Sequence, residues 1–175
     1  MAAQSGWIAV LVATLHSLIA QYGLIGFFLA AVLANATIFF GVPFEAVLLV
    51  VAATNTFNPI LLGLAGGLGA AFGELTSYFL GLGSVKLVEK VQQKDLKLVG
   101  WMKDQINQKG MIAIYLMLLV PIPFDLVGIA AGMVKMDAKR FFIATFLGKS
   151  TRYIILAFAA SVGVKIILAY FGASN

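Results

Sequence analysis

The sequence contains no cysteine, a single histidine and, before Lys86, no lysine or arginine. The missing cysteines exclude disulfides, thiolate nucleophiles and Cys-ligated zinc or iron–sulfur sites. His16 stands beside Thr14 and Ser17, far in sequence from any carboxylate that could complete a ligand set, so neither a metal nor another cofactor is expected. Charge is scarce as well. Of 175 residues, 11% are charged and 62% hydrophobic, whereas a soluble domain carries roughly 25% charged residues. With a mean hydropathy of +1.02, this composition excludes a soluble enzyme domain and indicates an integral membrane protein. The N-terminus has no basic n-region and no Ala-x-Ala site followed by a polar mature domain, so it is read as structure and not as a signal peptide. The net charge of +5 does not imply nucleic-acid binding, because the lysines lie at the ends of apolar segments, where they mark the cytoplasmic side of a membrane protein.

Apolar stretches cover residues 5–34, 37–54, 59–82, 111–134 and 141–162, and about 20 such residues cross a bilayer core as a helix. One all-α membrane domain therefore accounts for residues 1–175. Between Ser84 and Lys109 the chain turns polar, while Leu87, Val88, Val91, Leu98, Trp101, Met102 and Ile106 recur at helical spacing. That pattern predicts an amphipathic helix on the membrane surface. The next charges, Lys135, Asp137, Lys139 and Arg140, are again net positive. If 111–134 crossed the membrane, its two basic flanks would lie on opposite sides, against the positive-inside tendency.

A re-entrant hairpin removes that conflict, with the chain turning at Pro121-Ile122-Pro123 and leaving on the side it came from. Each proline lacks a donor and breaks a helix, and the residue before it is driven toward extended backbone. Residues 24–54 form the counterpart, a hairpin from the opposite face turning at Gly41-Val42-Pro43. The expected order is a helix over 1–20, hairpin 24–54, membrane helix 59–82, cytoplasmic amphipathic helix 84–109, hairpin 111–134, membrane helix 138–162 and a tail over 163–175. This is an inverted repeat, and its halves match at three points in the same order. Gln21-Tyr22-Gly23-Leu24-Ile25 pairs with Gln108-Lys109-Gly110-Met111-Ile112, Pro43-Phe44-Glu45 with Pro123-Phe124-Asp125, and Gly73-Glu74-Leu75-Thr76-Ser77-Tyr78 with Gly148-Lys149-Ser150-Thr151-Arg152-Tyr153.

At a rise of about 1.5 Å per residue, Glu74 lies some 22 Å along its helix from Pro59, and Lys149 and Arg152 some 18 to 22 Å from Asp137. Those are mid-membrane depths, reached also by the hairpin acids Glu45 and Asp125. A charge at that depth costs at least about 2.5 to 3.5 kcal/mol, so five of them must pair or face water. In the simplest reading the three acids neutralise the two bases and lock the hairpins onto the helices. A buried ion pair, however, often adds little net stability, and three acids against two bases leave a carboxylate able to carry a proton. Midplane sites between inverted repeats are where transporters bind substrate. The expected substrate site is Lys149 and Arg152 with Thr151 and Tyr153, a cationic, hydroxyl-rich surface suited to the phosphate of a lipid headgroup. Glu45, Glu74 and Asp125 are the expected proton relay or gate. The glycines between Gly63 and Gly73 read as helix-packing positions, and Trp7, Trp101, Phe141 and Phe142 as interfacial anchors.

The run Pro121-Ile122-Pro123-Phe124-Asp125-Leu126-Val127, followed by Ala130-Ala131-Gly132, Phe141-Phe142 and Gly148-Lys149, resembles the signature of the DedA superfamily, also called the VTT or SNARE-associated domain. The similarity covers roughly residues 20–162. It implies two opposed re-entrant hairpins packed with transmembrane helices, and a role in moving or scrambling lipids, among them undecaprenyl phosphate and phospholipids. It also implies functional acids at the hairpins, matched here by Glu45 and Asp125, and a basic residue on the following helix, matched by Arg152. Leu118 stands where many members carry arginine, and the first hairpin has fewer prolines and acids than is usual, which points to a divergent branch. The expected protein is a non-enzymatic flippase, scramblase or other lipid transporter of the cytoplasmic membrane. Its expected partners are phosphate-headgroup lipids, with protons and a homo-oligomer left open. A proton- or ion-coupled small-solute transporter and a non-catalytic assembly factor are the alternatives; an intramembrane enzyme lacks an evident nucleophile.

Overall fold

The computed structural model describes residues 2–36, 44–83, 93–120 and 124–170, with backbone alone for 2–13, 15, 16, 93–96, 124, 125 and 167–170. The described residues are helical and contain no strand. Among the described residues seven helices follow in order: α1 (Ala2–Ala36), α2 (Phe44–Ala53), α3 (Pro59–Gly83), α4 (Gln93–Lys109), α5 (Met111–Leu119), α6 (Phe124–Met133) and α7 (Ala138–Tyr170). Among the described residues, three stretches are long and apolar enough to cross a membrane, Ser17–Ala36, Pro59–Gly83 and Ala138–Ile166.

Local chemistry sets the boundaries. Pro59 opens α3, where its missing N–H is of no consequence, and the Asn58 side chain accepts the Ile60 N–H at 2.8 Å. Asp137 does the same for α7, accepting the Arg140 N–H at 3.0 Å. These are N-caps, each typically worth about 1 kcal/mol. α5 stops at Val120, whose φ of −95° and ψ of 148° are the extended angles demanded of a residue before proline. α1 is broken at Gly23, and α4 is divided from α5 at Gly110. Both glycines have φ 56° and ψ −128°, a combination barred to residues with a Cβ.

α3 and α7 form the spine and pack along each other. A Cβ on Gly63 would lie 2.7 Å from the Ile154 nitrogen, and one on Gly67 would lie 2.7 Å from the Ser150 Cα. Only hydrogen at these positions lets the two backbones approach this closely. Around the spine, α1 and α6 pack on α3, while α5 and α2 pack on α7. One apolar cluster joins Phe27, Phe44, Leu48, Leu62 and Tyr153. The other joins Met102, Ile106, Ile114, Leu118, Val127 and Phe141.

Two expectations change here. The apolar stripe of α4, with Val99, Met102 and Ile106 buried, faces α5 and α6, so this amphipathic helix spends that face on protein. Phe141 is not an interfacial anchor. It is 1% exposed and stacks on Tyr78 with centroids 5.0 Å apart, because the first turn of α7 faces α3. Trp101 is exposed as expected, whereas residues 84–92 and the side chains of Trp7 and His16 lie outside the described residues.

Candidate functional site

The polar residues of the spine meet in two ion pairs. Glu74 and Lys149 face each other across the α3–α7 seam, with Lys149 Nζ 3.0 Å from Glu74 Oε1 and their side chains 3% and 0% exposed. Lys149 Nζ also donates to Asn35 Oδ1 at 3.3 Å and lies 5.8 Å from the centre of the Tyr153 ring. Asn35 is fixed by donating its own amide to the Ala31 carbonyl at 2.8 Å. Its Cβ stands so near Gly73 that a methyl there would lie 2.8 Å away. The pair therefore sits in a dry, fully lined compartment. Below it Tyr153, Phe44 and Phe27 form an aromatic column with centroids 5.6 and 5.1 Å apart.

The second pair is built differently. Arg152, one turn further along α7 from Lys149, places Nη2 2.9 Å from Glu45 Oε1 and donates from the same nitrogen to Oε2 at 2.9 Å. Its Nη1 donates to the Val120 carbonyl at 2.9 Å and makes a longer contact of 3.5 Å to that of Leu118. Glu45 lies in the first turn of α2, where a carboxylate complements the positive end of the helix, and Val120 caps α5, whose negative end suits a cation. One guanidinium thus ties together the facing ends of two short helices. The side chains are 12% and 30% exposed, and Glu45 Oε1, buried, accepts no hydrogen bond from a described residue.

The expected site residues therefore separate. Lys149, Glu74 and Tyr153 are enclosed, while Arg152 and Glu45 sit at an accessible seam. Thr151 accepts a hydrogen bond from the Tyr115 hydroxyl at 3.4 Å. Ser77 and Tyr78, about one turn beyond Glu74 on α3, are buried with it but form no common surface with it. Ser77 donates to the Glu74 carbonyl at 2.8 Å, and the Tyr78 hydroxyl bonds the Met136 carbonyl at the far end of α3. Pro43, Pro121, Pro123 and the side chain of Asp125 lie outside the described residues. Asn35 was missed by the sequence reading; a lone amide within a long apolar run was the available signal. Among the described residues no group of His, Asp and Glu could hold a metal ion.

The family model described as the VTT domain matches residues 42–162, about two thirds of the chain. No curated protein and no solved structure matches the chain.

Proposed function

The chain belongs to the VTT domain family, the DedA/SNARE-associated domain, and we propose that it moves a phosphate-bearing lipid, a phospholipid or polyprenyl phosphate, between membrane leaflets. The observation that carries this reading is Arg152, a partly accessible guanidinium held at once by Glu45 and by the end of α5. A phosphate matches the fork of this side chain, and by replacing Glu45 it would loosen α2 from α7 while leaving the charge balanced. Lys149, three residues away on α7, joins the phosphate when Glu74 withdraws, with Thr151 and Tyr153 beside it. The displaced acids, and Asp125 on the other hairpin, are the groups through which protons would couple to the movement.

The membrane arrangement we propose is the inverted repeat with two re-entrant hairpins. After the break at Gly23, the roughly 13 residues of α1 rise only about 20 Å, and α2, α5 and α6, at 10, 9 and 10 residues, rise about 15 Å each, against a hydrocarbon core of about 30 Å. Exchanging α1 with α5, α2 with α6 and α3 with α7 maps the α3–α7 pair onto itself, α1–α3 onto α5–α7, α3–α6 onto α2–α7 and α1–α2 onto α5–α6, while the slight α2–α3 contact has no counterpart of equal extent. The same exchange pairs Gly23 with Gly110 at equal angles, and Asn55 with Lys135, both at φ 53°. It also pairs the caps Asn58 and Asp137. We place α4 and the 135–140 cluster on the cytoplasmic side of the cell membrane from their positive charge.

Lipid movement in proteoliposomes tests the site. Arg152→Ala and Asp125→Ala should each abolish most of the protein-dependent movement of a headgroup-labelled phospholipid or polyprenyl phosphate; undiminished movement in both would remove the assignment. A current driven by a pH gradient and indifferent to headgroup would instead identify an ion-coupled small-solute transporter using the same charges.

A further inference from the structure

α4 and α5 meet at Gly110, and the inside of their V is an open groove of about 230 Å³. Trp101, Gln105 and Lys109 line one arm at successive i, i+4 positions, and Ala113, Met117 and Val120 continue the stripe along the other. The floor is apolar, while the arm nearest the polar face of α4 ends in a lysine with no ion pair among the described residues. Trp101 is 48% exposed and Val120 51%, so the groove opens outward at both ends. At the Val120 end lies the carbonyl that holds Arg152 at 2.9 Å.

The first half of the chain shows that a joint of this kind need not leave a groove. Gly23 has the same backbone angles as Gly110, but the residue three positions beyond it is Gly26, where the second joint has Ala113. A Cβ on Gly26 would strike the Leu18 carbonyl. There the two helical arms close on each other through bare backbone. At the second joint Ala113 takes that place, and a groove is left along the two arms.

We propose that the α4–α5 groove is a docking site for one hydrocarbon chain of a phosphate-headgroup lipid, with the phosphate at Lys109, the indole of Trp101 at headgroup level and the chain lying toward Val120. Apolar residues alone would suit any chain; Lys109 gives the mouth its preference for an anion, and tryptophan is the residue that settles at the headgroup boundary. The route from this groove to Arg152 rests on the lipid-moving reading, but the occupancy of the groove does not.

The chain has only two tryptophans, so a Trp7→Phe variant leaves Trp101 as the sole reporter. Reconstituted into phosphatidylcholine vesicles with a small fraction of phosphatidylglycerol brominated near the headgroup end of its chains, Trp101 should be quenched as though the brominated lipid were enriched about fivefold over its bulk fraction, the factor one lysine supplies toward an anionic lipid. Lys109→Gln, a change at an exposed position, should return quenching to the bulk fraction. Leu116→Phe, which narrows the groove at an exposed site, should lower quenching by brominated phosphatidylcholine and phosphatidylglycerol alike. Quenching at the bulk fraction in the Lys109 protein, or enrichment that survives Lys109→Gln, overturns the proposal. Enrichment in a protein that moves no lipid would remove the transport reading and keep the groove; lipid movement without enrichment would do the reverse.

Discussion

Replacing Lys149 by methionine removes the cation of the dry pair and strands the Glu74 carboxylate in a compartment where the two side chains are 0% and 3% exposed. Almost none of its surface is exposed, and the Asn35 side-chain oxygen that accepted from Lys149 has nothing to offer an anion. Removing one partner of a buried pair costs about 3 to 5 kcal/mol, whereas replacing both by apolar groups of similar volume is often neutral. Glu74→Gln should be milder, because the amide oxygen can still accept from Lys149, which keeps Asn35 and the Tyr153 ring. The expected order of stability is therefore Lys149→Met lowest, Glu74→Gln intermediate, and the double variant Glu74→Leu/Lys149→Met near the parent. For a chain of this length each kcal/mol shifts the unfolding midpoint by about 2 to 4 °C, so Lys149→Met should unfold on the order of 10 °C below the parent. Thermal unfolding in detergent, followed by circular dichroism, reads this directly. A Lys149→Met midpoint equal to the parent's, or a double variant as unstable as the single, would refute the dry-pair reasoning. A stable double variant that no longer moves lipid would then assign the pair to function.

The Arg152 seam should behave in the opposite way. Since Glu45 is 30% exposed in its side chain, Glu45→Gln should change stability by less than about 1 kcal/mol yet impair lipid movement; comparable losses in unfolding midpoint for Glu45→Gln and Lys149→Met would contradict that division. Membrane placement can be mapped on this cysteine-free chain with single cysteines and an impermeant maleimide. Gln108→Cys and Lys135→Cys should label from one side, Gln21→Cys and Asn55→Cys from the other. Labelling of Gln108 and Lys135 from opposite sides would show that 111–134 crosses. Gly67→Val, which drives methyls into the Ser150 backbone of α7, should leave little folded protein on size-exclusion chromatography, and a well-folded variant would mean that the seam is looser than its geometry.

The spans Pro59–Gly83 and Ala138–Ile166 were legible because apolar length is a local signal. The residues that open them, Pro59 and Asp137, likewise act within a few residues. The partner of each charge was not legible in the same way. Nothing in the sequence distinguishes Lys149 from Arg152 as the enclosed cation, since the two are a turn apart on one helix. The difference arises in three dimensions, where Lys149 meets α3 and Asn35 while Arg152 faces the ends of α2 and α5. The burial of α4's apolar face was hidden for a related reason. An amphipathic stripe records that a helix covers something apolar, and lipid and protein satisfy it equally.

On the proposed repeat, the charges obey a constraint that the backbone does not. The exchange of halves carries Glu74 onto Lys149 across the axis, where the two are 3.0 Å apart. Identical residues at such a site would place like charges in contact within a low dielectric, which is strongly unfavourable. The halves must therefore differ there, however closely their helices correspond. The same exchange carries Arg152 onto Ser77, so α7 presents two cations where α3 presents a single acid. Glu45, from the first hairpin, neutralises the second cation. Its counterpart Asp125 corresponds to a position whose partner on α3, Ser77, has no charge to offer.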